Sequence, residues 1–289
     1  MIAFLPWKRH SQPDSALHSA QPGSRPLIPI SDENPTLRTP IMTIAILLVT
    51  LAVWVFVQGA GFDAAAMATS VCNLGMVPGE LTGRATLGFA VPMGAHEGQA
   101  WACVIDNEPI NTATPLISMF LHGGWAHLLG NCLFLWVFGN NVEDSMGRLR
   151  FLVFYLICGF AAAGTHVFFD PASPVPTVGA SGAISGALGA YLLLYPRVRV
   201  KLLIPILIFP WIVHVRAWVV LGFWFIWQVM SGLPQLTQLR SEVSGGVAVW
   251  AHVGGFVAGM LLVHLFENPK LVERRTMVSD ARGAFASNG

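Results

Sequence analysis

Six long runs of this chain contain no Asp, Glu, Lys or Arg: Thr39 to Phe62, Pro109 to Val142, Phe151 to Phe169, Pro171 to Pro196, Ala217 to Leu239 and Val243 to Phe266. Each is long enough to cross a bilayer as a helix, which takes about 17–25 mostly apolar residues. A shorter run, Leu202 to Val215, carries Pro205 and Pro210. Apolar runs of about 10–14 residues more often lie at the interface or re-enter than cross. The pattern predicts an all-α, polytopic membrane protein with six transmembrane helices.

Charge orients those helices. With six crossings and a cytoplasmic N-terminus, fourteen of the sixteen Lys and Arg fall on inner segments, among them Arg38, Arg148, Arg150, Arg197, Lys201 and Lys270; only Arg84 and Arg240 fall outside. Such asymmetry is what the positive-inside rule requires, and it places both termini in the cytoplasm. A seventh crossing at 202–215 would move the C-terminal cations outside. Composition agrees with a bilayer as solvent: charged residues are 11% and hydrophobic ones 54% of 289 positions, against about 25% charged in soluble domains. The net charge of +1 excludes a strongly basic nucleic-acid binder.

Three segments follow. Residues 1–38 read as a disordered cytoplasmic tail, without the apolar core of a cleavable signal peptide; 39–268 form the membrane core; 269–289 form a second short cytoplasmic tail. The first outer loop, about 61–114, is long for a connection, and long loops are often functional. It is net acidic and holds Cys72 and Cys103. In an oxidising compartment the two can bridge, but spacing alone does not set the geometry, so disulfide and free thiols both stay open. Cys132 and Cys158 lie inside helices and read as packing.

Polar residues inside the spans carry the candidate chemistry. The second helix contains His122-Gly-Gly-Trp-Ala-His127-Leu-Leu-Gly-Asn131, the fourth opens with Gly179-Ala-Ser181-Gly182, and the sixth contains Ala251-His252-Val-Gly-Gly255-Phe-Val-Ala-Gly259. With the N-terminus inside, all three helices run from outside to inside, so Ser181, His252, His127 and Asn131 share one depth in the outer half of the membrane. A serine hydroxyl needs a base to take its proton. His252 can be that base, an imidazole with an ordinary pKa near 6.5 being largely neutral at pH 7. Unpaired N–H groups at the start of the fourth helix, with Asn131 and His127 one turn apart, can face an oxyanion. Gly179 and Gly182 allow a tight approach to the serine, and Gly255-x-x-x-Gly259 lets two helices meet closely. Taken singly, the Gly-Ala-Ser-Gly run is a packing motif and a membrane histidine a structural hydrogen-bonder. Ser185 reads as packing, while His166, His214 and His264 read as meeting headgroups or water near helix ends.

Together, His122 with His127-x-x-x-Asn131, Gly179-x-Ser181-Gly182 and Ala251-His252-x-x-Gly255-x-x-x-Gly259 resemble the rhomboid family of intramembrane serine proteases, over about Ile41 to Phe266. The resemblance implies Ser181 as nucleophile, His252 as general base and then acid, and Asn131, His127 and the Ser181 N–H as the oxyanion hole, with His122 bracing the cavity. It implies membrane-anchored protein substrates admitted near Ala217 to Gly246, a bacterial inner membrane, an active site opening outward, and no metal, organic cofactor or nucleic acid. Two positions depart from it. Trp101 is followed by Ala102 where many bacterial relatives carry Trp-Arg, and Ser185 stands where some carry an aromatic ring against the histidine. No span holds an Asp or Glu to complete a triad, which leaves open what orients His252.

Two other classes compete. A catalytically silent rhomboid-like escort that binds membrane proteins would want the serine or the histidine lost, and both are present. A transporter would want charged residues at the midplane of paired broken helices, and the spans hold none.

Overall fold

The computed structural model describes residues 2–5, 28–96, 99–206, 209–237 and 248–273. Strands β1 (Ile2–Leu5) and β2 (Ile28–Asp32) precede α1 (Ile41–Phe56), which ends where Gly59, Ala60 and Gly61 all take positive φ. The first loop then folds into α2 (Ala64–Leu74), α3 (Pro78–Thr82), β3 (Ala90–His96), β4 (Gln99–Val104) and α4 (Thr114–Ile117). Helix α5 (Trp125–Phe134) continues through a π-helical turn, Leu135–Gly139, into α6 (Asn140–Met146). After α7 (Arg148–Phe169) and α8 (Ser181–Leu194) come the hairpin strands β5 (Arg199–Ile206) and β6 (Phe209–Arg216), then α9 (Ala217–Thr237) and α10 (Val249–Phe266).

The protein is mostly helical, but all-α is too narrow a description. Among the described residues there are two three-stranded antiparallel sheets, in the orders β1-β4-β3 and β2-β5-β6. The run 202–215, expected to lie at the interface or re-enter rather than cross, contributes residues 202–206 to β5 and 209–215 to β6 of a hairpin. Pro205 and Pro210 sit opposite each other near its tip, where two prolines exclude a helix but are tolerated at the end of a ladder. His214, expected near a helix end, lies on β6, with Nε2 3.6 Å from Glu33 Oε1.

Within the tail expected to be disordered over 1–38, two short segments are strands, while residues 6–27 lie outside the described residues. Residues 28–32 complete the edge of the β5 hairpin, and residues 2–5 complete the edge of β4. An open strand edge presents unpaired N–H and C=O groups that an extended segment can satisfy. The two strands sit at opposite ends of the bundle. β2 lies beside the π-helical turn and the start of α6, where Asn141 Nδ2 donates to Asp32 Oδ2 at 2.8 Å, while β1 joins the sheet of the loop that leaves the far end of α1.

Helices α7 and α10 are long and apolar enough to cross a membrane, at 22 and 18 residues with mean hydropathies of 1.9 and 1.7; α1, α8 and the apolar part of α9 are shorter. The second charge-free run begins its helix only at Trp125, because Pro109, Pro115 and the Gly123-Gly124 pair break what precedes it into short turns. Helix α8 is the centre of the bundle: every residue from Gly182 to Tyr191 is buried. Its glycines let α10 close on it to backbone contact and let side chains of α7 press against its backbone. The Gly186 Cα faces Cys158, and Gly189 faces the Phe256 carbonyl.

One end of the bundle is fixed by acids of α6. Glu143, 2% exposed, accepts hydrogen bonds from Met42 N at 3.0 Å, Thr43 N at 2.8 Å and Thr43 Oγ1 at 2.8 Å, and so caps α1 from another helix. Asp144 accepts from Leu37 N at 2.7 Å and Arg38 Nε at 3.1 Å. Tyr191 donates to Asp32, which ties β2 to α8. Replacing Glu143 by alanine leaves three donors unmet, the two of Thr43 in the interior, where each is worth about 1–3 kcal/mol. Thermal unfolding in detergent is expected to show a destabilisation of at least about 2 kcal/mol, with Glu143→Gln losing less; an unchanged melting temperature would contradict this role.

The opposite end is closed by the loop. Cys72 on α2 and Cys103 on β4 are bonded to each other, with Cα atoms 5.0 Å apart. Nearby, Glu80 accepts from Asp106 N at 3.1 Å, and burial lifts its carboxyl above the usual range against the opposing effect of that bond.

Candidate active site

The polar residues of the second, fourth and sixth charge-free runs meet at the loop end of the bundle. Helix α8 has 14 residues against 22 in α7, about 21 Å against about 33 Å at 1.5 Å per residue. Ser181, the first residue of α8, therefore begins well below the end of its neighbour. The chain between them, 170–180, descends to that level, and the N–H of Gly179 bonds the carbonyl of Ser118 at 2.9 Å.

Ser181 and His252 are in contact: Oγ lies 2.7 Å from Nε2. The histidine is 9% exposed and the serine half-buried, so the pair is shielded but not sealed. Their approach depends on two glycines of α10. A methyl group built on Gly255 would come within 2.0 Å of the Gly182 carbonyl oxygen, and one on Gly259 within 1.9 Å of the Gly186 carbonyl oxygen. The two helices thus touch backbone to backbone, one and two turns past His252.

His127 and Asn131 gather on the other side of Gly179. That residue has φ of +126°, which side chains other than glycine's rarely adopt. Any Cβ there would also stand 2.7 Å from His127 Nε2 and 3.6 Å from Asn131 Nδ2. Asn131 Nδ2 donates to His122 Nε2 at 2.9 Å, and the rings of His122 and His127 meet edge to face at 5.0 Å. His122 is fully buried and held by Gln58: its N–H donates to Gln58 Oε1 at 2.8 Å, and Gln58 Nε2 donates back to its carbonyl at 2.8 Å. Gln58 was not among the sequence candidates; it follows the apolar run of α1 as one uncharged polar residue among many. Gly182 lies against Ala162 and Ala251, a packing neighbour of the serine.

A further side chain reaches the histidine. Gln228 of α9 sets its Oε1 3.0 Å from His252 Nδ1, and the Trp224 ring lies 5.9 Å from the imidazole at 40°. The only sequence signal for Gln228 is an amide inside the apolar run Ala217 to Leu239. Ser185, read as packing, donates to the Ser181 carbonyl at 2.6 Å. His166 is not turned outward: its Nε2 is 3.1 Å from Thr177 Oγ1.

The described residues thus form a helical bundle with a shielded serine–histidine contact at the start of its central helix. The rhomboid domain model matches residues 111–268, more than half of the chain. The chain belongs to the rhomboid family, whose members are integral membrane proteins. Among its relatives, Rhomboid protease GluP of Bacillus subtilis (strain 168) is 41% identical over 102 residues, covering 35% of this chain and 18% of the relative. Rhomboid-like protein 11, chloroplastic, of Arabidopsis thaliana is 29% identical over 151 residues, covering 50% and 49%. Rhomboid-like protease 5 of Toxoplasma gondii is 33% identical over 168 residues, covering 54% and 17%. In each case the chain spans less than half of the relative's own length.

Proposed function

We propose that the chain is an intramembrane serine endopeptidase that cleaves transmembrane or juxtamembrane segments of membrane-anchored proteins. The observation that carries this reading is the 2.7 Å contact between Ser181 Oγ and His252 Nε2, within hydrogen-bond reach for proton transfer. His252 Nε2 takes the hydroxyl proton as Oγ attacks the scissile carbonyl. The resulting oxyanion accepts from the backbone N–H of Ser181 at the helix start and from the side chains of Asn131 and His127. His252 then returns its proton to the leaving amine, and a water molecule activated by the same imidazole releases the acyl group.

The bundle crosses the membrane six times in this reading, by α1, α5 with α6, α7, α8, α9 and α10. The end holding β2, Arg38 and Arg148 faces the cytoplasm of a bacterium, and the serine opens outward. Leaving aside Lys8 and Arg9, which follow β1, twelve of the sixteen Lys and Arg support this orientation. The pairing of β1 with β4 does not fit an N-terminal tail that is wholly cytoplasmic; labelling a cysteine at Ala3 from each side of the membrane decides where that strand lies. The Cys72–Cys103 bond suits an oxidising outer compartment.

Purified protein reconstituted in liposomes with a single-pass test substrate tests the activity. Cleavage within or beside the transmembrane segment is expected. Stable binding with no cleavage would overturn the protease in favour of an escort. In the same assay Asn131→Ala is expected to lower kcat by about 10²–10³, the usual loss for one oxyanion donor, with little change in KM; full activity would remove Asn131 from the oxyanion site.

A further inference from the structure

A serine–histidine pair works only if the imidazole is held in one tautomer and one plane. No Asp or Glu lies in any of the apolar runs to do this. On α8, the side chain one turn below the nucleophile is Ser185, and its hydroxyl turns to its own helix, donating to the Ser181 carbonyl at 2.6 Å. Among the described residues, the side chains of α9 supply two further contacts to the ring. Trp224 lies beside it at 5.9 Å, and Gln228, one turn further along the same face, reaches Nδ1 with Oε1 at 3.0 Å.

The chemistry of the three atoms fixes the proton positions. Ser181 can act as nucleophile only if it donates its hydroxyl proton to an Nε2 that carries a lone pair, which needs the ring proton on Nδ1. A Gln Oε1 has no proton to give and accepts that one. The 3.0 Å bond to Gln228 therefore requires the tautomer competent as a base, and the 2.7 Å bond to Ser181 on the other side of the ring is satisfied by it. An amide can also turn over. With its NH₂ toward Nδ1 it would demand the opposite tautomer, in which Nε2 carries the proton and cannot accept the serine's.

We infer that Gln228, supported by Trp224, is the positioning residue of His252, an amide on α9 that does the work of the missing acid. The inference rests on the serine–histidine reading above. It has a mechanical consequence: the base is held by a helix that supplies neither the nucleophile nor the histidine. Displacing α9 from α10 releases the imidazole, so the position of α9 sets the activity of the pair.

The test uses the full chain, purified in detergent and assayed against the single-pass substrate. Gln228→Leu is expected to lower kcat about ten- to a hundredfold, the loss of one hydrogen bond to a ring that becomes charged, with KM within about twofold of wild type on that same basis. Fluorophosphonate labelling of Ser181 is expected to slow in parallel. Gln228→Glu keeps an acceptor of the same length and cannot turn an N–H toward the ring, so it is expected to match or exceed wild type. A nitrogen-15 NMR spectrum of the wild-type protein, assigned by difference against His252→Ala, is expected to show His252 protonated at Nδ1 in the neutral state. Wild-type kcat in Gln228→Leu, or a Glu variant as poor as the Leu variant, overturns the inference. If Gln228→Leu does not fold, the Glu variant and the NMR assignment decide, and a proton on Nε2 overturns it. Failure of the serine–histidine reading is distinguishable, because Ser181→Ala would then cleave as well as wild type.

Discussion

Ser181→Ala is expected to abolish cleavage of the single-pass substrate, with a fall in kcat on the order of 10⁶ by analogy with serine proteases that lose their nucleophile, while the protein stays folded. The separation of the two effects follows from the structure. The serine is half-buried at the first position of α8, and its hydroxyl bonds His252 Nε2. The close packing of α8 is carried instead by the residues that follow it, Gly182 to Tyr191. Removing one oxygen therefore removes the nucleophile and one hydrogen bond at the edge of the packed core. Thermal unfolding should change by no more than about 1 kcal/mol, the typical net worth of such a bond. Cleavage at the wild-type rate by the purified variant would reject Ser181 as nucleophile.

The second large effect belongs to residues that touch no substrate. Gly255→Ala and Gly259→Ala each place a methyl group against a carbonyl oxygen of α8, 2.0 Å from Gly182 O and 1.9 Å from Gly186 O. Both obstacles are helix backbone, so there is no flexible side chain to give way. Helix α10 has to move off α8 by about 1 Å or more to restore an ordinary contact, and overpacking of this kind costs about 1–3 kcal/mol. His252 lies one turn from Gly255 on the same helix. A displacement of about 1 Å at a reacting pair can cost about 10²-fold in rate, and that is the expected fall in kcat for Gly255→Ala. Gly259 is a turn further from the histidine, so its alanine variant should lose comparable stability but less activity. Melting temperature and kcat measured on the same preparations separate the two; an alanine variant at Gly255 with wild-type values for both would show that the helices do not depend on this contact.

Much of this geometry was legible because the chemistry and the topology agree. Ser181, His252, Asn131 and His127 stand out as polar groups in hydrocarbon-length runs, and a consistent helix direction brings alternate runs to one level. What the sequence hid was pairing at long range. Absence of charge reports the solvent around a segment and not its backbone. Residues 109–124 thus look continuous with the helix that starts at Trp125, although proline and the Gly123-Gly124 pair divide them. The hairpin at 199–216 is hidden for the same reason, its apolar run serving a strand as well as an interfacial segment, and its third strand β2 lies more than a hundred and fifty residues earlier, beyond the reach of any local pattern. Cys72 and Cys103 illustrate a third kind of gap, since the bond depends on where β4 lies against α2 and their spacing leaves that undetermined. Gln228 was hidden because its partner is on another helix. An amide inside an apolar run is a weak signal until the imidazole it faces is known.

Reaction of the purified protein with a fluorophosphonate, read by mass spectrometry on wild type, Ser181→Ala and His252→Ala, probes the serine–histidine pair itself. The reagent reports one thing, a serine oxygen activated by its surroundings, and needs no knowledge of the natural substrate. The expected result is a single adduct on the peptide containing Ser181, absent from the first variant and strongly reduced in the second. An adduct at another serine, or labelling of Ser181 at the same rate without the His252 imidazole, would contradict a nucleophile and base paired across α8 and α10.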